Sequence, residues 1–169
     1  MILYHGTNLD IEHIDLTLCR NFKDFGKGFY TTEIYEQAEK MAKRVARIYG
    51  GSPVINVYEI EDTFMMFSDL NILDFGKNVS ERWARFVMNN RNRYFKDFSD
   101  SDCNFDFKYD IVGGPIADDD MTMLFRQFQN NMITFEMLIK GMTFKDVTSQ
   151  YSFHTERAIQ LLRKVGVEK

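Results

Sequence analysis

Apolar side chains recur every three or four positions in four stretches of the chain, which is the spacing of an amphipathic helix. The clearest stretch runs from Glu33 to Tyr49, where Thr32 is placed to cap the first turn and Gly50-Gly51 to end the last. Shorter helical patterns lie near residues 79–87, 124–128 and 158–165. The apolar residues that give the first helix its period are Ile34, Ala38, Met41, Ala42, Val45 and Ile48.

Between these stretches, apolar and polar residues alternate over short runs, as expected for half-buried strands. The clearest run, at residues 54–60, follows Pro53, and proline is tolerated at the start of a strand. A second run, at 109–112, is predicted to end at Gly113-Gly114-Pro115. Further strands are predicted at residues 2–5, at a segment ending near 30, at 72–75 and at 151–154.

Two aperiodic stretches, at 15–28 and 90–108, are predicted to be loops, the first anchored on the core by Phe22 and Phe25. Strands and helices are mixed without a regular β-α-β rhythm, so the pattern favours an α+β fold over a doubly wound sheet. The acidic run Asp118-Asp119-Asp120 is predicted to be a solvated loop or helix cap and not a metal site.

Length and composition predict a single packed domain over residues 1–169, since the chain is 44% hydrophobic and 27% charged with two prolines. The net charge of −4 argues against binding to nucleic acid and favours a protein or small-molecule partner. We expect no signal peptide, no membrane segment and a cytoplasmic location. Cys19 and Cys103 lack metal-ligand spacing, which is typical of a reducing compartment, and no metal is expected.

Two short motifs near the start of the chain carry the candidate chemistry. Residues 3–7 read Leu-Tyr-His-Gly-Thr, and residues 25–30 read Phe-Gly-Lys-Gly-Phe-Tyr. Their order and content resemble the first two signature segments of ADP-ribosyltransferases of the poly(ADP-ribose) polymerase and diphtheria-toxin branch. The sequence at 150–153, Gln-Tyr-Ser-Phe, is similar to the third signature, with glutamine where that branch has glutamate.

The chain is also similar to small bacterial proteins grouped as domain of unknown function 3990. The shared segments are the opening Tyr-His-Gly-Thr, the Gly-Phe-Tyr run and the closing Phe-His-Thr-Glu. The superfamily resemblance implies a split antiparallel β-sheet core with flanking helices and a site for NAD as co-substrate. It places His5, Tyr30 and Gln150 in the catalytic positions, and His5, Gly6, Thr7, Gly28, Tyr30 and Tyr35 around NAD.

The residue types suit that role physically. A histidine at a strand end can hydrogen bond to a ribose hydroxyl, and the backbone of Gly6 can pair with the nicotinamide carboxamide. The ring of Tyr30 offers a flat surface on which nicotinamide can stack. The polymerases have a second stacking tyrosine, but its position here is near Met41, which we predict to be in the core. Tyr35 is therefore an alternative second ring. Gln150 can keep the hydrogen bond of the glutamate but not its negative charge or its function as a base.

Three functions therefore stay open. The first is mono-ADP-ribosyl transfer from NAD to a macromolecular or small-molecule acceptor with release of nicotinamide. In that case either the acceptor is already a good nucleophile, or the missing carboxylate comes from Glu156 or the 118–120 run. The second is a related transfer reaction on an NAD-like or RNA substrate, including NAD hydrolysis by a toxin, with an antitoxin or inhibitor protein as partner. The third is a non-catalytic module that binds NAD, an ADP-ribosylated group or another protein through the same cleft. His154 and Thr155 are predicted to be a strand residue and a helix N-cap.

Overall fold

The computed structural model describes residues 1–100, 102–143 and 148–169. These residues form an α+β fold with two sheets and five helices. The strands are β1 (Ile2–Thr7), β2 (Phe29–Thr31), β3 (Val54–Glu59), β4 (Ile72–Asp74), β5 (Ile111–Pro115), β6 (Ser149–Phe153) and β7 (Arg163–Glu168). The helices are α1 (Tyr35–Tyr49), α2 (Glu81–Arg91), α3 (Asp119–Gln129), α4 (Phe135–Thr143) and α5 (Glu156–Ile159).

The first sheet has the order β1-β3-β7 and is antiparallel throughout. The second has the order β2-β6-β5-β4, with only β4 and β5 running parallel. They meet at one bridge, where Tyr4 and Thr32 exchange two backbone hydrogen bonds of 2.8 and 3.0 Å. Past that bridge β1 pairs with β3 and β2 with β6, so the sheets separate where the two N-terminal motifs lie.

Three groups of buried side chains hold the layers together. One, around Trp83, Phe86 and Phe125, fills the space between the second sheet and helices α2 to α4. Another, around Leu3, Phe29 and Phe153, is formed by residues from both sheets. A small third group joins α1 to the first sheet through alanines, which allow the helix backbone to approach closely.

Helix α1 differs in two ways from the sequence prediction. It begins at Tyr35 with Ile34 at the N-cap, because the Thr32 hydroxyl donates to the Ser149 carbonyl and accepts from the Ile34 N–H instead of capping the first turn. Its buried face is Ala38, Ala42 and Ala46, while Met41 is 44% exposed and so does not belong to the core. The predicted stop is confirmed, since Gly50 adopts φ +84°.

The strand at 109–112 does not end at Gly113-Gly114-Pro115, which lie inside β5 and are buried. A Cβ on Gly113 would approach the Tyr151 ring to 3.2 Å, and one on Gly114 would approach Phe75 to 3.0 Å. These glycines let neighbouring aromatic side chains pack on the strand, a tertiary requirement that resembles a turn signal in the sequence.

The helix predicted near residues 158–165 was wrong for most of that segment. Only Glu156–Ile159 is helical, and Arg163–Glu168 forms β7 on the edge of the first sheet. Helix α4 was missed altogether. By contrast, the loop at 90–108, of which the structure describes all but residue 101, has no helix beyond Arg91, and Asp118 caps α3 by accepting from the Met121 N–H, as predicted.

Candidate functional site

His5 and Tyr30 meet where the two sheets separate. The Nδ1 atom of His5 lies 2.7 Å from the Tyr30 carbonyl oxygen. Because a carbonyl oxygen can only accept, Nδ1 carries the proton and Nε2 of the neutral ring is an acceptor. Burial lowers the pKa of His5, the bond to Tyr30 opposes this, and the charge of Lys23 adds to the lowering. His5 is therefore neutral at pH 7, and its ring is held in place by stacking on Phe29 at 4.3 Å.

Gly6 supplies backbone groups at the same place. The N–H and C=O of alternate strand residues point to the same side, so those of Gly6 point away from β3, as those of Tyr4 do. Tyr4 uses them to bond Thr32, but β2 has separated from β1 by the level of Gly6. A Cβ on Gly6 would lie 1.9 Å from the Ala38 carbonyl oxygen of α1, which by itself requires glycine here.

Tyr30 is anchored through its hydroxyl. This group donates to the Gly26 carbonyl at 2.8 Å and accepts from the Phe25 N–H at 2.9 Å. Burial raises the hydroxyl pKa well above its usual range, and the charge of Asp24 raises it further, so the group stays protonated. The hydroxyl thus fixes the glycine loop, and the half-buried ring is the part of Tyr30 that is left to contact a ligand.

Gln150 lies on the same face of the second sheet as Tyr30. Tyr30 is opposite Ser152, which makes Gln150 its diagonal neighbour, within reach of a long or aromatic side chain. The Nε2 atom of Gln150 donates to Oδ2 of Asp24 at 3.0 Å, and both residues are 9% exposed. The third predicted site residue is therefore joined to the loop that precedes Tyr30.

Asp24 is fully occupied by donors. Nε and Nη2 of Arg91 both donate to its Oδ1, at 2.9 and 2.6 Å. The Ala117 N–H joins Gln150 in donating to Oδ2, at 3.2 Å. Arg91 is held in turn by Thr122 and by the Ala117 carbonyl. We call these side chains, Asp24, Arg91 and Gln150, the Asp24 cluster.

The remaining predicted NAD contacts have mixed positions. Thr7 is on the His5 face of β1, since strand side chains alternate. Tyr35 is on the opposite face, where it packs against Tyr4 and donates to Glu168 at 2.7 Å. Gly28 packs on the ring of His154. A Cβ at position 28 would lie only 2.6 Å from Nδ1 of that ring. The structure therefore does not bring Tyr35 to His5.

The carboxylates considered as replacements for the missing glutamate are not beside Gln150. Glu156 lies beyond the other end of β6, past at least three strand residues or about 10 Å. Asp118 is used as the α3 cap, while Asp119 and Asp120 are exposed in the first turn. The carboxylate that does contact Gln150 is Asp24, which sequence reasoning missed because an isolated aspartate in a polar loop has no distinctive pattern.

His154 is a second residue whose contacts the sequence did not reveal. Just after β6, its Nδ1 lies 2.7 Å from the Lys27 carbonyl and its Nε2 lies 2.8 Å from the Ser152 hydroxyl. Burial lowers its pKa to about 4, so the ring is neutral. His154 thereby clamps the glycine loop that Tyr30 also holds. Thr155 occupies the α5 N-cap position as predicted, but its hydroxyl donates to Asp110.

Positive charge borders the site. Lys23 is exposed to solvent, but partial desolvation by its surroundings lowers its pKa. The charge of Asp24 opposes this change, and the charges of Arg20, Arg91 and Arg44 lower the pKa further. In the part of the chain that the structure describes, Lys23 and Arg44 have no ion pair, whereas Arg91 is paired with Asp24. An anionic ligand beside His5 would therefore meet a favourable potential in an otherwise acidic protein.

Comparison with known proteins gives one match. The family model described as protein of unknown function (DUF3990) matches residues 1–163. The chain belongs to the DUF3990 family. The match includes every residue of the site described above and ends at the first residue of β7. No curated protein and no solved structure matches this DUF3990 chain.

Other surface features of this DUF3990 protein lie away from the site. One open depression borders α4 at Phe135 and Ile139, and another borders the start of β1 at Met1. Within residues 1–100, 102–143 and 148–169, no three His, Cys, Asp or Glu side chains are grouped to hold a metal ion. None of the helices in those ranges has both the length and the apolar character needed to span a membrane.

Proposed function

We propose that this DUF3990 protein is an NAD-dependent mono-ADP-ribosyltransferase that transfers ADP-ribose to an acceptor and releases nicotinamide. The observation that carries the proposal is the point where β1 and β2 separate. There His5 and Gly6 lie beside Tyr30. These residues belong to the two segments that resemble the first two ADP-ribosyltransferase signatures. The resemblance implies a split sheet core, and the separation of β1 and β2 into two sheets supports the proposal.

The unused polar groups at this point fit the parts of NAD. Among the described residues, the N–H and C=O of Gly6 have no strand partner on the β2 side, and they match the carboxamide of nicotinamide. Nε2 of His5 is an acceptor for a ribose hydroxyl, and the Tyr30 ring offers a surface for the nicotinamide ring. Lys23 and Arg44 lie where a pyrophosphate would find positive charge.

In the proposed reaction these residues hold the two halves of the bond that breaks. Gly6 and Tyr30 fix the leaving nicotinamide, while His5 and Gln150 hold the ribose. Positive charge develops on the ribose as the bond lengthens, and the dipole of a glutamine oxygen stabilises it less than a carboxylate would. The transfer should therefore be slow unless the acceptor is already a good nucleophile. The acidic protein favours a protein acceptor over nucleic acid.

A specific observation favours a second function. The charge of Asp24 is paired with Arg91, so in the described residues no unpaired carboxylate contacts Gln150. A site with neutral His5 and neutral Gln150 is suited to binding NAD or ADP-ribose without cleaving it. The second candidate is therefore a non-catalytic module that binds NAD or ADP-ribose.

Nicotinamide release from NAD, followed by chromatography, tests the proposal. His5→Phe keeps a ring to stack on Phe29 but removes the Nε2 acceptor together with the Nδ1 bond to the Tyr30 carbonyl, and we expect release to fall by about a hundredfold. Tyr30→Leu removes the stacking surface, and Tyr30→Phe is its matched control, because it keeps the ring and loses only the contacts with the glycine loop. NAD binding without release of nicotinamide would favour the binding module. The absence of both binding and release would refute the site.

A further inference from the structure

We propose that Asp24 is a positioning residue that holds the Gln150 amide with its nitrogen inward and its oxygen toward the ligand. The inference rests on the proposed function only in taking NAD as that ligand. Its basis is the 3.0 Å contact between Gln150 Nε2 and Asp24 Oδ2 inside the Asp24 cluster. Asp24 acts through Gln150 and touches no ligand itself.

The orientation of the amide follows from the chemistry of its neighbour. The two ends of a glutamine amide have nearly the same shape, so only hydrogen bonds distinguish them. A carboxylate that is paired with arginine accepts hydrogen bonds and does not donate, so it must face the nitrogen of Gln150. The inverted amide would place two oxygen atoms against each other in a buried position.

Asp24 is rigid enough to impose this choice. Arg91 donates twice to Oδ1, and the Ala117 N–H donates to Oδ2 beside Gln150. Arg91 in turn donates to Thr122 at 2.8 Å and to the Ala117 carbonyl at 3.2 Å. The carboxylate is therefore fixed by contacts with α2 and with the segment before α3, independently of Gln150.

The outward oxygen of Gln150 is available. No donor to Oε1 is present in the described residues, and the one buried side-chain oxygen or nitrogen without a partner there is the Tyr58 hydroxyl. Oε1 is thus reached by solvent. This oxygen is a hydrogen-bond acceptor, which suits a ligand that donates from a hydroxyl group, such as a ribose diol.

This arrangement also changes what a glutamate at position 150 would do. In Gln150→Glu a second carboxylate would face Asp24, and two like charges at hydrogen-bond distance repel strongly. We therefore expect Gln150→Glu alone to weaken NAD binding instead of restoring a transferase site. Asp24→Asn combined with Gln150→Glu turns the hydrogen bond around and should regain much of the lost affinity.

The test uses the full chain and two NAD analogues in which fluorine replaces the 2′- or the 3′-hydroxyl of the nicotinamide ribose. Fluorine cannot donate a hydrogen bond. The wild-type protein should therefore bind NAD roughly tenfold more tightly than the analogue in which fluorine replaces the hydroxyl that donates to Gln150. In Asp24→Asn the new amide attracts Oε1 inward and Nε2 turns outward, and the ratio should fall to about one or two. A merely structural Asp24 would weaken NAD and both analogues equally and leave the ratio near ten.

Thr122→Val is the matched control, because it removes a contact of Arg91 without touching Gln150. Its ratio should stay at the wild-type value, and an unchanged ratio in folded Asp24→Asn would overturn the proposal. The side-chain amide protons of Gln150, assigned by NMR through Gln150→Ala, give a readout that does not need NAD. They should shift in Asp24→Asn but not in Thr122→Val, and the absence of that shift also overturns the proposal. If wild-type protein binds no NAD but the shift occurs, the proposed function fails while the amide orientation stands.

Discussion

Two buried aspartate–arginine pairs in this protein use the same chemistry for different purposes. Asp110, just before β5, is 1% exposed and accepts from the Asn71 N–H, the Thr155 hydroxyl and Arg157. Burial by itself would raise the Asp110 pKa, but the bonds from Arg157, Thr155 and Asn71 outweigh it and lower that pKa. Asp24 is also paired with a single guanidinium, but Nε and Nη2 of Arg91 both donate to its Oδ1, whereas those of Arg157 donate to the two different oxygens of Asp110.

The difference lies in what the remaining donors do. Those of Asp110 come from the segments before β4 and at the start of α5, so the carboxylate ties the second sheet to the C-terminal turn. One donor to Asp24 is Gln150, whose other end reaches solvent. A buried ion pair can thus be structural or can orient a surface group, and the partners of the carboxylate decide which.

The largest effect is expected from removing the structural carboxylate. In Asp110→Ala the Asn71 N–H, the Thr155 hydroxyl and Arg157 all lose their acceptor, and the free energy of unfolding should fall by about 3 to 4 kcal/mol. Urea unfolding measures this loss, and NAD affinity of the protein that remains folded should be unchanged. A lower affinity would show that the two pairs are not separate in function.

The next prediction concerns His154, which joins the two pairs. Its N–H donates to the Asp110 carbonyl and its ring bonds Lys27 in the loop that carries Asp24. Because its pKa is lowered from 6.5 to about 4, the unfolded chain binds more protons between those values, and stability should fall with decreasing pH across that window. The change is worth roughly 3 kcal/mol for a buried ring.

Urea unfolding at pH values from 7 to 4 tests this, with His154→Asn as the comparison because an amide can still donate to the Lys27 carbonyl. The variant should lose most of the slope. Since the pKa of His5 is lowered in the same direction, some slope should remain. Equal slopes in the two proteins would mean that His154 does not titrate as the structure implies.

A smaller loss of stability is expected from replacing either arginine, and its size should differ between the two. Arg91 has 26% of its side chain exposed and Arg157 has 59%. Water can replace Arg157 more easily, so Arg157→Met should cost less than about 1 kcal/mol, while Arg91→Met should cost about 2 kcal/mol and reduce NAD affinity. The reverse order in thermal or urea unfolding would contradict the distinction drawn between the pairs.

The smallest effect is expected at Tyr35, which lies outside both pairs. Tyr35→Phe removes an exposed hydrogen bond to Glu168 and should change stability by about 0.5 kcal/mol or less. NAD affinity, measured by calorimetry, should not change because Tyr35 lies on the face of the first sheet opposite His5. A clear loss of affinity would instead support the sequence-based prediction that Tyr35 contributes to the proposed NAD site.

Local patterns in the sequence were sufficient for much of the fold. The strands at the N-terminus and at 54–60, helix α2 and the Asp118 cap follow from periodicity and capping, which depend on neighbours within a few residues. Gly113 and Gly114 were misinterpreted, because a glycine needed for a turn and one needed for close packing look the same in sequence. The final strand was missed because Leu161 and Leu162 continue a helical pattern that pairing with β3 overrides.

For the candidate site, the sequence determined the residues of the two N-terminal motifs and the amide at position 150. Motif order placed His5 and Tyr30 together, and their 2.7 Å hydrogen bond is a local consequence of where β1 and β2 diverge. Only the tertiary structure decided which carboxylate lies beside Gln150. Asp24 and Gln150 are separated by 126 positions, and their contact depends on the packing of a loop, α2 and β6, which no short-range pattern records.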